Sequence, residues 1–240
     1  IIFYLTKIHY ICIMINQMVI KSPQSFIKFL DEYELDIFSE ETFYEVTGEV
    51  LDEWIVQLRT LIRNGLIIIL EKGKYCRHNF RDEYVIGSVL ANRGIIAYWS
   101  ALNIHGLTEQ ISNTVFIQTS KVKKDKSVLG VNYHFIKVKE SKITGIEKMG
   151  YGNHSYPITE REKTIIDCFD LPEYGGEFPG IIRAFVTNEW DENRLIEYAE
   201  AVNNNAAIKR MGYLAELFGL PLERFVAYAK NKVTKTIDLF

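Results

Sequence analysis

The feature that most constrains the fold is an amphipathic segment that runs directly into a short hairpin, between residues 50 and 78. At about 100° per residue, the stretch from Val50 to Asn64 places its large apolar side chains on one face of a helix. These are Leu51, Trp54, Ile55, Leu58, Leu61 and Ile62. The "NG" at 64–65 ends the helix, because Gly65 can adopt the left-handed conformation. "LIIILE", a two-residue "KG" turn and "KYCRH" then read as two paired strands.

Two shorter helices precede this segment. Ser22 and Pro23 supply an N-cap and a first helical residue for "SPQSFIKFLDEY". A second helix, "EETFYEV", starts near Ser39 and stops at Gly48. Three helices followed by a hairpin is the order of a winged helix-turn-helix, although plain packing modules share it.

The pattern changes around Arg81. "IIAYWSALNIHGL" predicts a helix, and "TVFIQTS", "VNYHFIKVKES" and "ITGIEKMGYGNHSYPI" predict strands with glycine-rich turns. "TEREKTIIDCFDL" reads as a helix opened by a Thr159–Glu162 capping box, and the last third of the chain is helical in pattern. The predicted class is therefore α+β. A winged helix-turn-helix domain covers 21–81, and a mixed β-sheet domain with a helical C-terminal region covers 82–240, with the boundary near 80–85.

The first twenty residues are apolar, but Thr6, Lys7 and His9 interrupt them, which makes a poor membrane span. They also have no basic segment or cleavage site typical of a signal peptide. We interpret residues 1–20 as a tail or an over-extended gene start, with a packed N-terminal segment as the alternative. No membrane association and a cytoplasmic location are expected.

Composition argues against several kinds of chemistry. Cys12, Cys76 and Cys168 are widely spaced and form no CxxC pair, so we expect reduced thiols and neither a disulfide framework nor a thiolate zinc site. The five histidines have no ligand spacing, and His105 is expected to pack or cap a helix. Glu140 in "KESK" is half of a nuclease-type pattern without a convincing partner aspartate. We therefore predict no catalytic residue, cofactor or metal.

Nucleic-acid binding has to come from a local patch, because 28 Lys and Arg against 31 Asp and Glu give a net charge of −3. The residues expected to contact DNA are Gln57, Arg59, Thr60 and Arg63 on the helix and Lys72, Lys74 and Arg77 on the hairpin, with Arg81 just beyond. A possible second patch contains Lys121, Lys123, Lys124 and Lys126, for which a solvated loop is the alternative. Residues 21–81 carry 8 basic and 11 acidic side chains, and this acidic balance opposes DNA binding.

Several longer motifs together resemble a known family. "RGIIAYWSALNIHGLTEQISNTVFIQTSK", the later "YPITEREKTIIDCFDLPEYGG", the "GLIIILEKGKY" hairpin and "MGYLAELFGL" are similar to the AbiEi-type antitoxins of type IV toxin–antitoxin systems. The resemblance covers roughly residues 25–225. "SALNIHGL" and "REKTIIDCF" correspond to core and signature positions of that family rather than catalytic ones.

The resemblance implies a non-enzymatic protein with two tasks. The N-terminal domain would repress its own operon by binding repeats in double-stranded operator DNA. The C-terminal domain would counter a nucleotidyltransferase toxin without a stable complex. The alternative is a protein-interaction module that uses the winged helix only as a scaffold, and a nuclease is a distant third. The oligomeric state stays open.

Overall fold

The computed structural model describes residues 21–232, and these divide into two compact units. The first unit ends at Phe80 and also contains Gly152–His154, and the second contains Arg81–Tyr151 and the chain from Ser155 onward. The interpretation of residues 1–20, and Cys12 with it, lies outside the described residues.

From residue 21 onward, the first unit has three α-helices and one small antiparallel sheet. Its helices are α1 (Pro23–Glu32), α2 (Glu40–Thr47) and α3 (Ile55–Arg63), and its strands are β1 (Ile37–Ser39), β2 (Ile67–Glu71) and β3 (Lys74–Arg77). The strand order is β1-β3-β2. The expected hairpin is confirmed, with Gly73 at a φ of 76° in its turn.

The local start and stop signals of this unit are confirmed. Ser22 caps α1, with its hydroxyl accepting from the Ser25 amide at 3.0 Å. Ser39 caps α2, and Gly48 ends that helix at a φ of 72°. Gly65 follows α3 at a φ of 70°. These glycines take a conformation that costs other residues about 1–2 kcal/mol.

Two predicted features of this unit need correction. The segment predicted as one helix over 50–64 begins as a 3-10 turn, Leu51–Trp54, and becomes α-helical only at Ile55. The strand Ile37–Ser39 was not predicted, because three residues are too few to show an alternating pattern. It pairs with Lys74–Arg77 and so completes the sheet.

The apolar face expected for the third helix forms the core of the first unit. Leu51, Trp54, Leu58 and Leu61 are buried. The indole of Trp54 stacks on Phe26 of α1 with ring centroids 5.0 Å apart, a geometry that adds to the free energy gained from burial. The helix period read from the sequence therefore identified the buried face.

The second unit is built on a mixed six-stranded sheet. Its strands are β4 (Ile95–Ile96), β5 (Thr114–Thr119), β6 (Lys126–Val128), β7 (Val131–Lys137), β8 (Ile146–Met149) and β9 (Tyr156–Thr159). They lie in the order β6-β7-β5-β4-β9-β8, with the β5–β7 and β4–β9 pairs parallel and the other pairs antiparallel. This arrangement confirms the expected mixed sheet.

Up to residue 232, seven α-helices complete the second unit: α4 (Glu83–Leu90), α5 (Tyr98–Ile104), α6 (Arg161–Asp170), α7 (Phe178–Val186), α8 (Glu192–Val202), α9 (Asn205–Leu217) and α10 (Glu223–Asn231). Successive strand residues point to opposite faces of a sheet. Ile117 packs against Gly87 of α4, whereas Gln118 bonds to Tyr98 of α5 and Asp167 of α6. The sheet therefore has helices on both faces, and α8–α10 extend the core on the α6 side.

Two further predictions in this unit are wrong. The helix predicted over "IIAYWSALNIHGL" starts only at Tyr98, since Ile95–Ile96 is a strand. The Thr159–Glu162 capping box does not form. The Thr159 hydroxyl bonds to the Thr164 hydroxyl at 2.7 Å, and Glu162 Oε1 accepts from the Asp191 amide at 3.1 Å.

A charged pair that was not predicted lies in the middle of this unit. The Lys163 ammonium bonds to the Asp167 carboxylate one turn along α6, with the two side chains 0% and 1% exposed. Gln118 Nε2 also donates to Asp167, at 3.2 Å, and to the Tyr98 hydroxyl, at 3.1 Å. Burial raises the pKa of Asp167, and the Lys163 ammonium opposes that shift. Replacing only one of these two residues therefore leaves the other charge buried without a partner, which lowers the free energy of unfolding.

We expect Lys163→Met to lower the free energy of unfolding of the second unit by about 3–5 kcal/mol, because it leaves a buried carboxylate without its cation. The double variant Lys163→Met/Asp167→Leu should recover much of that loss. Urea unfolding measures both. Lys230→Met serves as the control, since Lys230 and Glu216 form an exposed pair worth about 0–1 kcal/mol. If Lys163→Met lowers the free energy of unfolding no more than Lys230→Met does, the buried pair does not stabilise the unit in this way.

Candidate nucleic-acid interface

Two of the four helix residues expected to contact DNA present exposed cations. Arg59 and Arg63 are exposed and stand four residues apart, so they share one side of α3. Gln57 Nε2 donates to the Lys21 carbonyl oxygen at 2.7 Å. The Thr60 hydroxyl donates to the Val56 carbonyl at 3.0 Å. The helix therefore offers a pair of guanidinium groups rather than a row of four polar side chains.

The cations of the hairpin also differ in how exposed their charged groups are. Lys72 is exposed in the turn. Lys74 is only 8% exposed, and its Nζ lies 2.7 Å from Glu71 Oε1. Arg77 Nη2 lies 2.6 Å from Asp31 Oδ1 and 3.3 Å from the Ile27 carbonyl oxygen. Arg81 is part of the second unit.

Two residues of the contact set predicted from the sequence have partners within the protein. Lys74 and Arg77 were expected to face DNA, but their charged groups bond to carboxylates of their own unit. The Glu71–Lys74 contact could have been predicted, because these residues face each other across a two-residue turn. The Arg77–Asp31 contact joins residues 46 positions apart, and no local pattern predicts it.

Acidic side chains lie near the hairpin turn and near Arg59. Glu40 Oε1 lies 3.3 Å from the position that a Cβ on Gly73 would take, so a negative charge lies against the hairpin turn. Burial, Glu40 and Asp52 raise the pKa of the Tyr75 hydroxyl, and Arg59 lowers it. Arg59 therefore lies in a field shared with acidic groups, which weakens its attraction for phosphate.

The second basic patch lies in the other unit, around the loop between β5 and β6. Lys121 and Lys124 are exposed. Lys123 Nζ lies over the Phe135 ring, 5.3 Å from its centroid, and Lys126 pairs with Tyr133 in the sheet. The four lysines are thus not equivalent, and only two of them point clearly to solvent.

The remaining candidates for a catalytic or metal-binding role are one glutamate, one histidine and two cysteines. Glu140 is exposed in a 3-10 turn, Glu140–Lys142. His105 ends α5, and its Nε2 lies 2.7 Å from the Thr159 carbonyl oxygen, which confirms a packed, capping histidine. Cys76 and Cys168 are buried free thiols, and burial raises the pKa of Cys168. A buried neutral thiol is a poor nucleophile.

Between residues 21 and 232, no three His, Cys, Asp or Glu side chains come together as a metal site. Over the same stretch, every helix is too short or too polar to cross a bilayer.

No family model matches the chain, and no curated protein matches it either. Among solved structures, the chain is similar to the crystal structure of the Rv2827c protein from Mycobacterium tuberculosis. The TM-score is 0.60 at 15% identity, over 88% of this chain and 82% of that one. This likeness shows that the two proteins share a fold.

The burial of Lys74 separates its role from that of Lys72. We expect Lys74→Glu to destabilise the first unit by about 1–3 kcal/mol, because it buries a carboxylate beside Glu71. Lys72→Glu carries the same charge change at an exposed position and should stay within about 0.5 kcal/mol of the original protein. Urea unfolding followed by tryptophan fluorescence, with Trp54 reporting on the first unit, measures the difference. Equal stability of the two variants would show that Lys74 is not held as the structure has it.

Proposed function

We propose that the protein is a DNA-binding transcriptional autorepressor whose first unit is a winged helix-turn-helix. The observation that carries this proposal is a set of three exposed cations, with Arg59 and Arg63 on the third helix and Lys72 at the tip of the following hairpin. The element order and the β1-β3-β2 sheet support it, because in winged-helix proteins the helix reads the groove and the hairpin grips the backbone.

The contact set proposed here is smaller than the one the sequence indicated. Arg59 and Arg63 can each donate several hydrogen bonds to phosphate oxygens or guanine edges, and Lys72 adds a point charge. Lys74 and Arg77 shape the hairpin through their carboxylate partners. With three cations per chain, binding to two neighbouring operator repeats would raise the affinity.

We further propose that the protein is the antitoxin of a type IV system and counters a nucleotidyltransferase toxin without catalysis of its own. Support comes from the motifs that carry the family resemblance. Every residue from Glu162 to Phe169 in "REKTIIDCF" is buried, and Ala101 and Leu102 in "SALNIHGL" are buried as well. Such positions maintain a fold and do not present chemistry to a substrate.

A second candidate function is a protein-interaction module that binds a basic partner. The observation that favours it is the charge of the α3 side of the first unit. Asp52 is exposed, Glu49 Oε2 accepts from Trp54 Nε1 at 2.6 Å, and Glu53 pairs with Lys21 at 2.8 Å. In this alternative the acidic groups attract the partner and DNA is repelled.

The two candidates differ in a salt-dependent shift assay on DNA from upstream of the protein's own gene. For the repressor, log affinity falls linearly with log salt, and Arg59→Glu/Arg63→Glu should reduce the slope by about two units, one for each phosphate contact removed. The matched control is Arg183→Glu/Arg210→Glu, which reverses two exposed arginines on helices of the second unit.

If the salt dependence of the affinity is unchanged in the Arg59→Glu/Arg63→Glu variant, these two residues of α3 do not contact DNA. Loss of slope in both double variants would indicate non-specific attraction. No retention of upstream DNA at low salt would favour the interaction module.

The antitoxin proposal has a genetic consequence. A reading frame for a nucleotidyltransferase is expected beside this gene, and production of that protein alone should arrest growth. Coproduction of the full chain should restore growth, and so should the Arg59→Glu/Arg63→Glu variant, because the countering activity is assigned to the second unit. Plate growth measures both effects. A toxic neighbour that the full chain cannot counter would exclude the antitoxin role and leave the repressor role standing.

A further inference from the structure

The second unit contains a pocket of about 670 Å³ that no part of the proposed function uses. It lies where the end of β7, the last turn of α6 and the start of α9 come together. Its polar lining is Lys137, Lys139, Ser141, Lys142, Asp170 and Asn203–Asn205. Its volume is in the range of about 300–1,000 Å³ that is typical of small-molecule sites.

The charged side chains in the lining of this pocket are three lysines and one aspartate. Lys137 and Lys139 are exposed and two residues apart, so they project on the same side of the chain, while Val138 between them is buried. Lys142 is the third lysine, and Asp170 is the one acidic residue in the lining. An excess of two positive charges in a concave surface attracts anions more strongly than the same charges on a convex one.

Asp170 is a buried residue of the pocket lining that bonds to two other lining residues. Its side chain is 5% exposed, and Oδ2 accepts from Lys142 Nζ at 2.6 Å. Its other oxygen accepts from Asn204 Nδ2 at 2.8 Å. One carboxylate thus fixes a lysine and an asparagine from two different segments before any ligand arrives, and such preorganisation lowers the entropic cost of binding.

The helix that starts at the pocket adds to the positive potential. Asn204 caps α9, with its Oδ1 accepting from the amides of Ala206 and Ala207 at 3.0 and 3.3 Å. Those two amides are therefore already bonded and do not act as ligands. The partial positive charge at the N-terminus of this 13-residue helix still favours an anion nearby.

We propose that this pocket binds a phosphorylated small molecule of about nucleotide size. Lys137 and Lys139 neutralise the phosphate groups, Lys142 and Ser141 orient them, and the small side chains of Ala201 and Ala206 leave room for the rest of the ligand. The inference concerns the second unit alone and does not depend on DNA binding by the first.

The test is isothermal titration of the full-length protein at low salt with tripolyphosphate, ATP and adenosine. Tripolyphosphate and ATP should bind in competition with each other, and adenosine should not bind because it has no phosphate. Lys137→Glu/Lys139→Glu should weaken the Kd about tenfold or more, since it reverses both exposed cations. The matched control is Lys148→Glu/Arg183→Glu, which carries the same charge change at exposed positions on β8 and α7, outside the pocket lining. It should alter the Kd less than about twofold.

Thermal melts of both double variants check that the fold is retained. Equal weakening in the two double variants, or no heat with any phosphate at millimolar concentration, would overturn the proposal. The last ligand to be titrated is a short single-stranded oligonucleotide. If it binds in a manner that depends on Lys137 and Lys139 while tripolyphosphate and ATP do not, the surface contacts a nucleic-acid backbone and the small-molecule proposal is wrong.

Discussion

The second unit depends on the buried bond between Lys163 and Asp167. Neither charge contacts solvent, so each is tolerated only because the other is in place. The same carboxylate accepts from Gln118, which also bonds Tyr98, so one pair joins α5, α6 and the central strand β5. Tyr98 holds a φ of 53°, a left-handed conformation that costs a tyrosine free energy and that the bonded hydroxyl helps to maintain. The polar cluster therefore fixes the register of helices over the sheet, which apolar packing alone specifies less sharply.

In the first unit, carboxylates decide which cations remain available. Glu71 bonds Lys74 within the hairpin, and Asp31 of α1 bonds Arg77 and so joins the hairpin to that helix. The hairpin therefore carries less positive charge at its surface than its composition suggests. Counting lysines and arginines along a sequence overestimates a binding surface whenever acidic residues are equally frequent, because the folded chain pairs many of them.

The parts of the fold that the sequence predicted are those set by contacts within a few residues. The capping serines, Gly48 and Gly65 act on adjacent peptide groups, and the apolar period of the third helix identified its buried face. The missed parts depend on distant partners. Glu162 fits a capping box by spacing, yet its carboxylate bonds an amide 29 residues away. The pairing of Arg77 with Asp31 also depends on a distant partner, and the pocket around Asp170 joins three segments that no local pattern relates.

A small set of exposed cations also limits how a repressor of this kind can work. Three phosphate contacts per chain give a log–log salt slope of about −3, far shallower than that of a protein with ten such contacts. The acidic groups nearby reduce non-specific attraction further, so little of the protein would be held on random DNA. An arginine that contacts phosphate does not at the same time read a guanine edge, so discrimination in this proposal rests on the spacing of the operator repeats. Weak attraction by each chain combined with two chains on neighbouring repeats suits the proposed autorepressor, because its occupancy responds to small changes in its own concentration.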